Sequence, residues 1–258
     1  MNPFDFLTAW TALLQVHVQF PEGAMPLVEQ VLRWVHFLAG ITWIGLLYFF
    51  NLVNVPFMKE IDASTKGKVV PKLLPRTLWW FRWGAVVTVL AGLLYFIILL
   101  WRDAERTGST SVAWKWLGLW LVVWVVVWFI LYALVCTSPA KATFYTLAVI
   151  VVVVAGTWGI LALLQNEPEI GADNRALSIA VGGGMGLVML LNVWGIIWRY
   201  QKKIIAWTQA NAEQGTPIPP ESAKLARIAF LASRTNFWLS WPMLFFMASA
   251  SHFAFLGR

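Results

Sequence analysis

The sequence predicts an all-α protein: a polytopic membrane helix bundle of about six transmembrane helices, with a short interfacial helix at its N-terminus. Three observations point there. The 258 residues are 60% hydrophobic and only 12% charged, against about 25% charged in a soluble domain. The apolar residues fall in blocks of about twenty, the length that crosses a bilayer core. Finally, the blocks do not alternate apolar and polar residues, as the strands of a membrane barrel do.

One integral membrane domain over 1–258 accounts for the chain. Residues 1–25 are apolar but too short to span comfortably, so they lie on one membrane face. The first span covers about 33–55, and Pro56 ends it. A polar loop rich in lysine follows, and the second span runs over 83–101 behind an anchor of Trp79, Trp80, Arg82 and Trp83. The third span, 112–135, carries Trp116, Trp120, Trp124 and Trp128, whose steps of four keep them on one side of a helix. After a Ser138-Pro139 turn, the fourth span, 143–164, is nearly pure Val, Leu, Ile and Ala and faces lipid. The fifth, 176–198, contains the run Gly182 to Gly186, in which Gly182 and Gly186 form a GxxxG contact motif. That run lies inside an apolar span, so it is no phosphate-binding loop. The longest hydrophilic segment, 199–227, leads to the sixth span, 228–255, which Pro242 is expected to kink.

The net charge of +7 speaks to topology and not to nucleic acid. Lys59, Lys66, Lys68, Lys72, Arg76, Arg82, Lys141, Arg199, Lys202, Lys203, Lys224 and Arg227 follow or flank the ends of spans one, three and five. Arg102, Arg106, Lys115, Arg175 and Arg258 lie on the other side, and Arg33 and Arg234 are counted on neither. The richer side is cytoplasmic by this bias, which places both termini on the outer, periplasmic side of a bacterial inner membrane. No basic segment opens the chain, so no cleaved signal peptide is expected. The single cysteine, Cys136, excludes an internal disulfide, a CxxC metal site and a covalent c-type haem.

Ionisable residues inside a membrane are costly and mark functional sites. His36 is about one turn inside the first span, and His252 about one turn from the outer end of the sixth. Opposite helix directions put them at matched depth in the outer half of the membrane. Two such histidines can hold one haem iron from both faces, so His36 and His252 are the candidate metal ligands of a b-type haem. Gly40 and Ala248, one turn away on each helix, are small enough to leave room for a porphyrin. Arg33 would pair with a propionate. Each has an ordinary reading too: small residues serve helix packing, an arginine snorkels to headgroups, and a tryptophan stripe is core. In the sixth span, Arg234 and Asn236 form a separate polar site, either structural or holding an anion, with Asn51 or Asn54 as possible partners of the arginine. No catalytic residue stands out.

Three stretches, RWVHFLAGITWIGLLYFFN (33–51), LLPRTLWWFRWGA (73–85) and SRTNFWLSWPMLFFMASASHF (233–253), together resemble the membrane domain of the membrane-bound urate oxidase N-terminal family. The resemblance implies a multi-helix membrane domain, often joined to a C-terminal c-type cytochrome, that passes electrons to a respiratory chain. This chain has no CxxCH, so the expectation is a stand-alone form without the cytochrome, and it carries Thr235 where the family often has histidine, so urate oxidation by this chain alone is not expected. The primary reading is therefore a b-type haem electron-transfer or accessory subunit of a respiratory complex, a redox subunit rather than a self-sufficient enzyme. Its partners would be membrane lipid, other membrane subunits and a c-type cytochrome or oxidase. The alternatives are a cofactor-free structural subunit, and a membrane oxidase of urate-like substrates that needs a separate cytochrome c.

Overall fold

In the computed structural model, residues 23–106, 108–137, 142–166 and 173–256 are described. Helices make up the regular structure, and no strand occurs among the described residues. The chain divides into two compact units, 1–31 and 32–258. Of the first, residues 23–31 are described, and they are mostly exposed and helical from Ala24 on. The interfacial segment expected over 1–25 otherwise lies outside the described residues, as does the Ser138-Pro139 turn. Everything below concerns the second unit.

Helix α1 (Ala24–Tyr48) passes into a π-helical turn, Phe49–Asn54, and then into α2 (Val55–Glu60). The expected stop at Pro56 is therefore absent. Pro56 occupies the first turn of α2, directly after the wider π turn, where a missing N–H costs little. Helix α3 (Ala63–Arg106) is 44 residues long and contains Pro71 and Pro75. At 1.5 Å per residue it reaches about 66 Å, twice a hydrocarbon core of about 30 Å. The polar loop expected before the second span is thus largely helix, started at Asp62, whose carboxylate accepts from the Thr65 backbone N–H at 3.0 Å and its hydroxyl at 2.6 Å.

Helices α4 (Thr110–Thr137) and α5 (Ala142–Gln165) follow. As expected, α5 exposes a broad apolar face, including Leu147, Val151, Val154 and Trp158. Asp173 caps α6 (Asn174–Asn192) by accepting from the Ala176 N–H at 2.7 Å. A second π turn, Val193–Trp198, leads into α7 (Arg199–Gln214), so the hydrophilic segment after the fifth span begins as a continuation of it. Gly215, with φ of 68°, ends α7 in the left-handed conformation. Helix α8 (Glu221–His252) runs through Pro242 without a break.

Five stretches, Ala24–Glu60, Ala63–Arg106, Thr110–Thr137, Thr143–Gln165 and Asn174–Gln214, are long and apolar enough to cross a membrane. With 32 residues α8 has the length, but Ser233, Arg234, Thr235, Asn236 and Ser240 interrupt its apolar sequence. The core explains that interruption, because Thr235, Asn236 and Ser240 are buried against the other helices.

Between α4 and α6 the core is tryptophan set into glycine. A Cβ on Gly184 would lie 1.9 Å from the Trp124 ring, one on Gly195 2.8 Å from Trp128, and one on Gly183 3.7 Å from Trp120. The indole N–H of Trp120 donates to the Ala180 carbonyl at 2.7 Å. The tryptophan stripe is therefore packing core. Gly182 lies close against α8, where a Cβ would be 3.1–3.2 Å from Met243, Phe246 and Met247 atoms, while Gly186 meets nothing within 4 Å. The contact motif is real at Gly182 and is used within the chain.

Candidate functional site

His36 is held in a seam between α1 and α3. The seam steps by one turn on each antiparallel helix. A Cβ on Gly84 would lie 3.4 Å from the Trp43 N and the Ala39 O, one on Gly40 would lie 3.7 Å from the Thr88 methyl, and one on Gly92 would lie 2.9 Å from two atoms of the His36 ring. Small residues at 84, 88 and 92 let the helices approach this closely. Side chains on a helix lean toward its N-terminus, so the residue at i+4 normally shields the carbonyl at i. Glycine at 92 uncovers the Thr88 carbonyl, and His36 Nδ1 lies 2.8 Å from it. A carbonyl only accepts, so Nδ1 carries the proton and donates. In the neutral imidazole, Nε2 then keeps its lone pair. A backbone bond at one ring nitrogen is the usual way a protein orients a histidine whose other nitrogen binds metal.

The other residues of the expected haem site are placed less tightly. His252 is exposed at the last residue of α8, and Ala248 and Arg33 are exposed as well. The room expected at Gly40 is taken by Thr88. Asn174 fixes the chain around His252: its Nδ2 donates to the Ser249 carbonyl at 2.8 Å, and its Oδ1 accepts from the Phe255 and Leu256 N–H groups at 3.1 Å. Contacts between α8 and the end of α1 lie deeper, through Tyr48 with Ser240 (3.2 Å) and with the Phe237 ring.

Among the described residues, no group of three or more His, Cys, Asp or Glu side chains converges on a point that could hold a metal ion. A metal bound here would bring most of its own ligands, as porphyrin iron does. Around His36 the structure supplies an oriented imidazole whose ring already fills the space that Gly92 leaves. Sequence reasoning missed Gly92 and Thr88, though the signal was available in the spacing Gly84-x3-Thr88-x3-Gly92.

The polar part of α8 fans out to four helical neighbours. Asn51 Nδ2, in the first π turn, donates to Ser233 Oγ at 3.0 Å. Thr235 donates to the Leu231 carbonyl at 2.9 Å, which leaves its oxygen to accept from Tyr145 of α5 at 2.7 Å. Asn236 is fully buried; its Oδ1 accepts from Asn192 at 2.8 Å, and its Nδ2 donates to the Met189 carbonyl at 2.9 Å. Asn192 in turn accepts from the Trp128 indole at 3.1 Å, which joins α4, α6 and α8 in one chain of hydrogen bonds. Arg234 is half-buried with its guanidinium against the Phe230 and Phe237 rings, at 5.3 and 5.6 Å from their centroids. The amide of Asn236 is committed to structure, and Asn51 goes to Ser233 rather than to Arg234.

These features define an integral membrane helical bundle with an oriented histidine in one interhelical seam. Residues 61–257 match the family model described as urate oxidase N-terminal, and the chain belongs to that family. The matched stretch takes in His252, Arg234 and Asn236, and it begins beyond His36. No curated protein and no solved structure matches the chain.

Proposed function

We propose that the chain binds one b-type haem through His36 and works as an electron-transfer or accessory subunit of a respiratory complex in a bacterial inner membrane. The observation that supports this reading is the His36 imidazole, oriented by the Thr88 carbonyl across a glycine at 92. His252 is the candidate for the second axial position. Bound haem would supply a one-electron redox centre. The chain's own contribution would be to fix the imidazole tautomer and to keep the ring in an apolar seam.

The test is a reduced-minus-oxidised absorption spectrum of the purified protein, with haem extraction. A haem b spectrum is expected, lost in His36→Ala and changed in coordination by His252→Ala. A colourless preparation from haem-replete cells would overturn the proposal. Family membership favours a second reading, oxidation of urate-like substrates with a separate cytochrome c. It predicts urate-dependent reduction of added cytochrome c by membranes containing the chain, and no such reduction would count against it.

A further inference from the structure

At the start of the second span, two hydrogen-bond donors on neighbouring side chains have no acceptor. The Arg82 guanidinium stacks over the Trp198 ring at 3.8 Å from its centroid and lies 5.6 Å from that of Trp194. The ring faces attract its charge, but they do not accept its N–H groups in the way an oxygen does. Arg82 Nε is buried without a partner, and so is the indole Nε1 of Trp194. No carboxylate pairs with Arg82 among the described residues. Both tryptophans belong to the π turn Val193–Trp198, a local geometry that recurs at functional sites.

The surroundings say what is missing. Arg82 lies beside Trp79, Trp80 and Trp83, three partly exposed indoles that mark the level of the lipid headgroups. Trp83 packs edge-on against Trp194 at 5.5 Å. Arg199, Lys202 and Lys203 follow Trp198 directly on α7 and are exposed. Two orphan donors, a fixed cation and a basic rim at headgroup depth fit an oxyanion. We propose that Arg82, Trp194 and Trp198 form a binding site for a phosphate group, with Arg82 and the Trp194 N–H as donors and Trp198 as the platform that holds the guanidinium flat. An anionic phospholipid headgroup and a free phosphate share this chemistry.

The full chain, purified and delipidated in detergent, is the material for the test. Native mass spectrometry with added phosphatidylglycerol or phosphatidylcholine reads lipid retention, and tryptophan fluorescence reads the response to inorganic phosphate. Wild-type protein is expected to retain phosphatidylglycerol in preference, and Arg82→Gln to weaken retention by about tenfold or more, the loss expected of a charge-assisted hydrogen bond. Trp194→Phe removes one N–H with little change of shape and is expected to weaken retention several-fold. It decides the matter if Arg82→Gln fails to fold. A phosphate-induced fluorescence change that is lost in both variants supports the site with free phosphate as its source. Phosphatidylglycerol retention and phosphate response both unchanged in Trp194→Phe, and in Arg82→Gln where it folds, overturn the proposal.

Discussion

Single residues act here through the groups they uncover or commit. Gly92 is the clearest case: its lack of a side chain gives His36 access to a backbone carbonyl. Gly92→Ala would place a Cβ 2.9 Å from the imidazole, and the ring would have to leave the Thr88 oxygen. The expected outcome is loss of the haem b spectrum, with overpacking that destabilises the fold by about 1–3 kcal/mol. Thermal unfolding in detergent measures the second effect separately from the first. Asn236 is a different kind of residue, because its amide already has partners on α6. Asn236→Leu strands the Asn192 amide, at a cost of about 1–3 kcal/mol. Asn192→Leu combined with it should cost less than the sum of the two, and a double-mutant cycle is expected to return a coupling of about 0.6 kcal/mol or more. Full additivity would mean that the hydrogen bond between them contributes nothing.

The helices show what the sequence could and could not disclose. The apolar blocks were legible because hydrocarbon demands about twenty apolar residues per span whatever the detailed packing. The lengths of α3 and of the α6–π–α7 stretch were not, because outside the lipid a helix is limited by capping and neighbours rather than by apolar content. Lysines and two prolines made residues before Trp79 look like a loop, yet Asp62 caps them and α7 packs on them, with Gly67 against Ala212. The π turns leave no sequence signature, and so the position of Trp194 and Trp198 was not legible. The role of the tryptophan stripe became clear only when the glycines facing it were known. That match gives a sharp contrast within one short run. Gly184→Ala would drive a Cβ to within 1.9 Å of the Trp124 ring and should destabilise by about 1–3 kcal/mol or more, whereas Gly186→Ala meets nothing within 4 Å. The latter should be neutral, or stabilising by up to about 1 kcal/mol through helix propensity. Thermal unfolding of both variants checks the pair, and equal losses would contradict the packing described.

The start of α3 adds a pH dependence at the same scale. Asp62 accepts from Thr65, first through its hydroxyl and then through its N–H, and these bonds lower its pKa from 3.8 to about 2. A depressed carboxylate stabilises the folded form above its unfolded pKa, and that contribution is lost as pH falls from 3.8 toward about 2. Amide protection in the first turn of α3 is therefore expected to decline over that window in wild type. In Asp62→Asn the decline should be absent, and hydrogen exchange measured as protection factors reads the difference.

For the whole molecule, the long helices and the charge pattern make one joint prediction. The stretch of α3 before Trp79 and the helix α7 pack together beyond the tryptophan level, so the two must project from the same membrane face. Lys66, Lys68, Lys72, Lys202 and Lys203 lie on them, so the positive-inside rule predicts that this face is the cytoplasmic one. His36 packs on Gly92, about 15 Å along α3 from Arg82, and so lies near the middle of the second span rather than at either membrane face. With Cys136 replaced by serine, Ser64→Cys and Gln214→Cys should both react with a membrane-impermeant maleimide in inverted vesicles and in neither case from outside intact cells. Labelling of both from outside would turn the bundle over. Labelling of one from each face would mean that α3 and α7 do not project together, and the packing of Gly67 on Ala212 would have to be given up.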